Sequence, residues 1–479
     1  MLLGTLSLLA QPSETTSITI DKKIVSEKYI GNGVQWDPYA LNYGKGKVEI
    51  SEKDWQKIYS RLDYMRPQFI RLMVNTSSQI RDGKFDPTIN FEGNLKNLLD
   101  YCQSRNVTVM FGDWGGHMVH PNEDKIDVRN LGYAADYVKF LLDNGYTCIK
   151  YYNMINEPNG YWSSNIGKYD LWASAMRQFQ KEMIARGLNS KVGIVGPDAA
   201  IWTANEAWWI DSCATKLNGM VELYDIHTYP SKITVNSGEY SNIIRAYKEK
   251  VPAGKQIVMG EIGFKYIEKA DSIYDKSNKK KIAAKPWASP NDSQMFVYEH
   301  MYGTDMADAL FQTMNEGYSG SIIWMLDDAM HYNEAPNLLK IWGFWNILAE
   351  EQFGSSQDEQ VRPFFYAWSL LSKYIPQGAK VYTVNTTGVT GVRAVAIEHN
   401  GKHTIAVVNV TSNEQKVNIK SSSLKALKNL KQYHYYENEI IRKGDCEQLP
   451  NKVNVSLNLK KGEAFTIPSN GLLVLTNLD

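Results

Sequence analysis

The chain contains few cysteines: Cys102, Cys148, Cys213 and Cys446 are the only ones in 479 residues. No two of them have C-x-x-C spacing, which argues against both a zinc site and a disulfide-stabilised scaffold. We therefore expect four buried free thiols.

An excess of charge of one sign is also absent, because 52 Lys and Arg balance 52 Asp and Glu. This balance argues against nucleic acid and against an anionic membrane surface as partners. No apolar run approaches the roughly 20 residues that cross a membrane, so we predict no membrane insertion. A neutral ligand is the expected partner. Aromatic residues are abundant, with 13 Trp and 29 Tyr, and their faces suit the C–H faces of sugars. The sequence makes no prediction of oligomeric state.

The first ten residues, Met1–Ala10, are similar to the apolar centre of a secretory signal. The segment is short and lacks a basic start. We interpret residues 1–16 as a possible signal-peptide remnant and expect the protein to be secreted, periplasmic or at the cell surface.

From Tyr29 to about Ile375, short apolar or β-branched runs alternate with segments of helical period, the pattern of repeated βα units. Eight strands are predicted: Ile30–Trp36, Phe69–Val74, Val107–Gly112, Ile149–Asn156, Val192–Gly196, Leu223–Thr228, Gln256–Glu261 and Ser321–Met325. No Gly-rich phosphate turn follows the first strand, so the pattern favours an α/β fold of the (β/α)8 TIM-barrel type over an open doubly wound sheet. We assign residues 17–375 to this barrel.

Beyond Pro376-Gln377-Gly378 the apolar residues follow a period of two, which predicts a C-terminal β-sandwich domain over residues 376–479. The early run Ser17–Ile24 also alternates, so residues 17–28 are a candidate extra strand of this sandwich. The lysine-rich segment Asp271–Lys285 is interpreted as a solvated loop near the rim of the barrel.

Two glutamates end predicted strands. Asn156-Glu157-Pro158 follows the fourth strand, and Gly260-Glu261 ends the seventh. Catalytic groups of TIM barrels lie at the carboxyl ends of the strands. A pair of carboxylates at one rim is what cleavage of a glycosidic bond requires, one to protonate the leaving oxygen and one to attack or to activate water.

Other polar residues at the strand ends suit the same chemistry. Arg71 and Tyr229 could keep a nucleophilic carboxylate ionised by charge and hydrogen bonding, which lowers its pKa. A general acid needs a raised pKa, which His227 or an apolar wall near Glu157 could provide. Asn156 can bond a sugar 2-hydroxyl.

Further candidates for substrate contact come from the first, third and eighth strand ends: Trp36, His117, Trp114 and Trp324. His117 stands five residues beyond its strand, so Asp113, Trp114 or His120 are alternatives for that place. Trp162, Trp202, Trp342 and Trp345 follow strands as well and could stack on sugars or pack in the core.

Together these residues resemble those of clan A glycoside hydrolases, nearest to family 5, over about residues 29–375. The resemblance implies that Glu157 is the acid/base, that Glu261 is the nucleophile and that anomeric configuration is retained. It also implies that Asn156 contacts the 2-hydroxyl and that Trp324 lies under the reacting sugar. Clan members with an appended β-domain share the C-terminal arrangement.

We therefore expect a retaining glycosidase for β-linked substrates that needs no metal or other cofactor. An endo-β-glucanase is the first expectation, and a β-mannanase, a galactanase or an exo-acting β-glycosidase are the alternatives. Two other classes remain: a metal-assisted hydrolase built on His117-x-x-His120 and a non-catalytic carbohydrate-binding protein.

Overall fold

The computed structural model describes residues 15–39, 49–89, 91–217, 219–266, 268–331, 338–424 and 426–479. The segment Met1–Ala10, on which the expectation of export depends, lies outside the described residues. None of the helices in the described ranges is long and apolar enough to span a membrane.

The first element of the described residues is strand β1 (Thr16–Ser26), and eight parallel strands then close into a barrel. These strands are β2 (Gly31–Gln35), β3 (Phe69–Val74), β4 (Thr108–Asp113), β5 (Ile149–Asn153), β6 (Gly193–Ile201), β7 (Val221–Thr228), β8 (Gln256–Ile262) and β9 (Gly320–Ile323). They follow one another around the barrel in chain order, and β9 pairs with β2 to close it. The predicted fold class is confirmed.

Helices cover the outside of the barrel. They are α1 (Glu52–Met65), α2 (Lys96–Ser104), α3 (Val128–Asp143), α4 (Tyr169–Ala185), α5 (Trp208–Lys216), α6 (Lys232–Ser237), α7 (Glu239–Lys248), α8 (Ser272–Ala283), α9 (His300–Asn315), α10 (Ala349–Phe353) and α11 (Pro363–Lys373). The start of α1 illustrates why they form: Ser51 and Asp54 cap each other's backbone N–H groups. This reciprocal capping satisfies donors that the first turn leaves free.

An apolar layer fills the amino-terminal end of the barrel. It consists of Ile30, Phe69, Met110, Val195, Leu223, Val258 and Ile322, which form one buried cluster. Side chains two residues further along a strand point the same way, so Arg71 follows Phe69 on the inside of β3, and Asp225 follows Leu223 on the inside of β7. The layer closes one end of the barrel, and the polar groups collect at the other.

The rest of the chain forms β10 (Lys380–Thr387), β11 (Val392–His399), β12 (Lys402–Asn409), β13 (Gln415–Ser421), β14 (Leu427–Tyr435), β15 (Ile441–Lys443), β16 (Glu447–Leu449), β17 (Lys452–Leu457), β18 (Glu463–Ile467) and β19 (Gly471–Thr476). Nine strands make one sheet in the order β17-β14-β19-β12-β11-β10-β1-β13-β18. Strand β1 pairs antiparallel with β10 and parallel with β13. Strands from both ends of the sheet share one apolar core, so the sheet curls on itself as a nearly closed β-domain.

Two ion pairs, each with at least one fully buried side chain, join this β-domain to the barrel. Arg61 of α1 donates two hydrogen bonds to Asp445, at 2.6 and 2.9 Å. Arg393 of β11 donates to both oxygens of Asp308 in α9, at 2.7 and 2.8 Å. Arg61 binds its carboxylate through two nitrogen atoms, which fixes orientation as well as distance. Both bonds of Arg393 come from Nη1.

Two further predictions concern the cysteines and the lysine-rich segment Asp271–Lys285. All four cysteines are free and buried, as predicted. The lysine-rich segment is a helix, α8, and the prediction of a loop is wrong. Asp275 and Lys279 form an ion pair one turn apart, and Lys280 and Lys281 lie in the last turn, where positive charge favours a helix.

Candidate active site

A cavity of about 640 Å³ opens at the carboxyl ends of the barrel strands. Its volume lies within the range of small-molecule sites. Both predicted glutamates reach it, together with five other residues predicted for the site: Asn156, His227, Tyr229, Trp114 and Trp324. The sequence did not single out these further lining residues: Tyr161, Ala200, Ile201, Lys265, Asp292, His331 and Lys340.

Arg71 lies beneath the cavity and connects several of its walls. Its Nη1 atom donates to Gln35 and to Glu261 Oε2, both at 3.0 Å. Its Nη2 atom donates to Asn156 at 2.7 Å and to Asp198 at 3.1 Å. The side chain is fully buried, so these acceptors replace the water that a guanidinium would otherwise bind.

Glu157 follows β5 and has a positive φ of 47°. Its Oε1 lies 3.1 Å from Nδ1 of His227. Its Oε2 accepts a hydrogen bond from Nε1 of Trp162 at 2.6 Å. Both carboxylate oxygens therefore have a partner in the free protein.

Glu261 follows Gly260 on β8. It accepts hydrogen bonds from Arg71 and from the Tyr229 hydroxyl. A Cβ atom at position 260 would come within 2.4 Å of the Asp225 carboxyl group, and the backbone N–H of Gly260 donates to Asp225 at 2.6 Å. Glycine is required here because a buried carboxyl group occupies the space beside the strand.

Asp198 is the functional group that the sequence interpretation missed. It is fully buried, and its Oδ1 lies 3.0 Å from Nε2 of His227. Its Oδ2 accepts from Asn153 at 2.7 Å as well as from Arg71. The predicted fifth strand stops at Gly196, but β6 continues to Ile201. A polar residue just beyond a predicted strand was the available signal.

The two glutamates are close together. One oxygen of Glu157, one of Glu261 and a ring nitrogen of His227 all lie within 4.8 Å of one another. Nδ1 of His227 is 3.6 Å from Glu261 Oε2. His227 therefore stands between the carboxyl groups on the inner side of the cavity.

The charges of this cluster set its pKa values. Burial raises the pKa of Glu157, but the hydrogen bond and charge of His227 and the hydrogen bond from Trp162 outweigh it, so the pKa lies below its usual value. Burial raises the pKa of Glu261 above its usual value, against the charges of His227 and Arg71. From the sequence we expected a raised pKa for Glu157 and a lowered pKa for Glu261, so in the free protein both shifts have the opposite direction. Two close carboxyl groups titrate as a pair, because ionisation of one raises the pKa of the other.

His227 and the aspartates beneath it form a second buried chain. Burial lowers the pKa of His227, but the charges of Asp198 and Glu261 raise it well above its usual value. Burial and then the charge of Asp198 raise the pKa of Asp225 well above its usual value. We therefore assign a proton to Asp225 and a positive charge to His227, and Asp198 is the ionised group between them.

One wall of the cavity is aromatic. The Trp324 ring stacks on His331, with ring centroids 5.4 Å apart, and Trp114 packs edge-on against both. Arg71 lies 5.9 Å from the Trp114 ring. Asp37 holds His331 through a 2.7 Å contact with Nε2. His331 was not predicted, because it lies eight residues beyond the end of β9.

Two of the predicted rim residues, Trp36 and His117, lie outside the cavity. Trp36 is fully buried and packs edge-on against Tyr101 of α2, because Gln35 takes the inward direction beside Arg71. His117 is exposed, and neither it nor the alternatives Asp113 and His120 line the cavity. Trp114 occupies that place.

Two groups of potential metal ligands occur among the described residues, Glu157-His227-Glu261 and Asp198-Asp225-His227. Neither contains His117 or His120. His120 lies 3.2 Å from Asp127 instead. His227 carries the proton of an imidazolium in both groups, and Arg71 adds a second positive charge, so these residues suit an internal ion-pair network better than a cation.

The sequence matches no protein-family model and no curated protein. Solved structures do share the fold. A GH30 endoxylanase from Clostridium papyrosolvens C71 superimposes with a TM-score of 0.61 at 16% identity, over 96% of this chain and 99% of that chain. A GH39 β-xylosidase from Caulobacter crescentus gives 0.59 at 12% identity, over 96% and 99%. A conserved exported protein from Bacteroides fragilis gives 0.67 at 11% identity, over 96% and 100%.

This chain shares the fold of these structures, a (β/α)8 barrel with an appended β-domain. These neighbours cover almost the whole chain, so they share the β-domain as well as the barrel. Their names point to families 30 and 39, and the nearer resemblance to family 5 stays a prediction. At these identities the similarity concerns the fold, and the chemistry depends on the side chains described above.

Proposed function

We propose that this protein is a retaining glycoside hydrolase for β-linked sugars. The observation that carries the proposal is the pair Glu157 and Glu261, which approach within 4.8 Å in a cavity at the strand ends. Retaining enzymes have carboxyl groups about 5–5.5 Å apart, whereas inverting enzymes need about 6.5–9.5 Å to admit a water molecule. The short separation favours double displacement.

In the first step Glu261 attacks the anomeric carbon while the bond to the leaving oxygen breaks. Glu157 gives its proton to that oxygen, and the sugar becomes an ester of Glu261. Arg71 and Tyr229 hold Glu261 in position, and their N–H and O–H groups favour its ionised form. Substrate binding must therefore leave the shared proton on Glu157 and the charge on Glu261.

In the second step Glu157 takes a proton from water, which attacks the anomeric carbon and releases Glu261. His227 supports this stage because its imidazolium faces Oε1 of Glu157 and stabilises the carboxylate that acts as base. Asn156 is held by Arg71 through its carbonyl oxygen, so its amide group can donate to the sugar 2-hydroxyl. These steps use no metal or organic cofactor.

The aromatic lining favours a carbohydrate, because indole rings bury the C–H faces of pyranoses. Within this class an endo-acting β-glucanase remains our first proposal, with β-mannan, galactan and exo-action as alternatives. The names of the solved neighbours include xylanases, β-xylosidases and a glucosidase, so β-xylan belongs among the substrates to test.

The test is a panel of β-linked gluco-, xylo-, manno- and galacto-oligosaccharides, incubated with wild type, Glu157→Ala and Glu261→Ala. We expect wild type to cleave at least one and to release the β-anomer first, as seen by proton NMR. Each variant should lose about 10³-fold or more in kcat. Azide should restore cleavage of aryl glycosides, with retention for Glu157→Ala and inversion for Glu261→Ala. Undiminished cleavage by either variant, or initial release of the α-anomer, contradicts the mechanism. Binding by wild type without any cleavage would instead indicate a carbohydrate-binding protein.

A further inference from the structure

Trp162 occupies the outer side of Glu157. Its indole N–H donates to Oε2 at 2.6 Å, although 46% of the residue is exposed to solvent. An indole that only filled space would turn its apolar ring inward. Trp162 instead lines the cavity with its polar edge on the proposed acid.

Gly160 leaves room for the Trp162 ring in this position. A Cβ atom at Gly160 would come within 2.3 to 2.7 Å of three atoms of the Trp162 ring system. Gly160 does not have a positive φ, so backbone conformation does not require glycine there. Glycine is needed at position 160 because the Trp162 ring occupies the space that a side chain would fill.

Two further aromatic residues extend the same surface. Trp202, which follows β6, packs edge-on against Trp162 at 5.7 Å, and Tyr161 does so at 5.0 Å. Trp202 is 43% exposed and Tyr161 is 83% exposed, and all three residues line the cavity. We call Tyr161, Trp162 and Trp202 the outer aromatic cluster. A contiguous exposed apolar surface at the edge of a cavity is typical of a binding site.

The position of this cluster relative to the glutamates indicates what it binds. Glu157 must protonate the oxygen of the leaving sugar, so the leaving sugar lies beside the outer oxygen of Glu157, where Trp162 is. The other aromatic group, Trp114 and Trp324, lies on the side of Arg71, which binds the nucleophile. The two aromatic groups thus contact different members of the site: Trp162 contacts the proposed acid, and Trp114 contacts the arginine that binds the proposed nucleophile.

We propose that the outer aromatic cluster is the leaving-group subsite, that it accepts a pyranose unit, and that Trp162 holds Glu157 until this unit arrives. This assignment rests on the proposed glycosidase function. In the free protein both oxygens of Glu157 accept hydrogen bonds. A leaving sugar that stacks on the Trp162 ring displaces the indole N–H from Oε2 of Glu157. The glycosidic oxygen of this sugar then receives its proton from Oε2. The pKa of Glu157 then rises, because one of the donors that stabilise its carboxylate is gone.

The first experiment compares two substrates with the same glycone, the one cleaved fastest in the panel: its β-linked trisaccharide and its β-glycosyl fluoride. The fluoride has no leaving sugar. Trp162→Ala should lower kcat/KM for the trisaccharide by about tenfold more than for the fluoride, which corresponds to the loss of one stacking contact. Gly160→Ala should act in the same direction, because its methyl group displaces the Trp162 ring while the side chains of Trp162 and Glu157 stay chemically unchanged.

The second experiment isolates the N–H group. Trp162→Phe keeps an aromatic face but removes the donor, so the limb of the kcat/KM against pH profile that reports ionisation of Glu157 should move to higher pH by about half a unit or more. Trp208→Phe is the matched control: Trp208 is also exposed, but it packs against Trp209 and Tyr169 outside the cavity. It should leave both rates and the pH profile unchanged.

If Trp162→Ala and Gly160→Ala lower kcat/KM equally for the trisaccharide and the fluoride, the subsite assignment is wrong. If the pH profile of kcat/KM does not shift in Trp162→Phe, the proposal that the Trp162 N–H restrains Glu157 is wrong. Should Trp162→Ala fold poorly in an unfolding assay, Gly160→Ala and Trp162→Phe decide the question. If wild type cleaves no β-glycoside at all, the proposed function is wrong. If wild type cleaves a β-glycoside but the variants show neither the substrate difference nor the pH shift, only the subsite assignment is wrong.

Discussion

Nε2 of His227 lies 3.0 Å from Oδ1 of Asp198, and both side chains are fully buried. The opposite ring nitrogen of His227 faces Glu157. Asp198 also accepts a hydrogen bond from Arg71, which binds Glu261. This one aspartate thus connects the partners of both proposed catalytic glutamates, although it does not line the cavity itself.

Asp198→Asn should therefore act through its neighbours. We expect kcat to fall by about 10- to 100-fold, the usual cost of losing a group that orients another. The pKa of His227, which the charge of Asp198 raises, should fall, and an NMR titration of the imidazole would measure this. A neutral His227 no longer favours the Glu157 carboxylate, so the limb of the kcat/KM against pH profile that reports ionisation of Glu157 should move to higher pH.

The same variant has a pH-dependent effect on stability. Because the pKa of His227 is raised in the folded protein, its stabilising contribution is complete below about pH 6.5 and is lost as the pH rises through the folded-state value. The unfolding free energy of Asp198→Asn should decline less than that of wild type above pH 6.5. Asp305→Asn is the control, since this buried aspartate pairs with Lys232 outside the cavity. A merely structural role for Asp198 predicts the same pH profile for both variants.

Trp324→Ala tests the inner aromatic wall. Removal of the ring should reduce kcat/KM for the trisaccharide and for the fluoride alike, by about 10- to 100-fold, because both substrates place a sugar at this wall. The same pair of substrates measures it. A loss confined to the trisaccharide would contradict the placement of Trp324 on the side of the retained sugar.

Arg61→Ala tests the junction between the barrel and the β-domain. It removes a fully buried guanidinium that binds Asp445 and lies over Trp345 at 4.8 Å. We expect the free energy of unfolding in urea to fall by about 2–4 kcal/mol. Arg105→Ala removes a similar two-bond contact to Asp63, but that pair is nearly half exposed, so its loss should not exceed about 1 kcal/mol. Equal effects would show that the junction contributes little.

Chelation separates the proposed mechanism from metal-assisted hydrolysis. Dialysis against EDTA should leave the activity on the best oligosaccharide unchanged, because Glu157 and Glu261 carry out both steps. Added Zn²⁺ or Mg²⁺ should not increase the rate. Loss of activity on chelation, with recovery on adding one of these ions, would contradict the mechanism.

Much of the barrel could be predicted because a strand buried on both faces reads as a short apolar run, and this pattern is local. Strand β3 was predicted with its observed bounds, Phe69–Val74. The carboxyl ends of parallel strands meet at one rim, so Glu157 and Glu261 could be paired although 104 positions separate them. Local pattern and topology together were sufficient for this step.

The sequence by itself determined the class of fold, the two glutamates and their partners Arg71, His227 and Tyr229, because these follow from strand periodicity. Only the tertiary structure decided that Trp36 faces the helices, that Trp162 binds Glu157, and that Asp198 lies beneath His227. These facts depend on where a strand truly ends and on how loops from different strands meet above it. Such contacts are non-local, and no pattern within one segment encodes them.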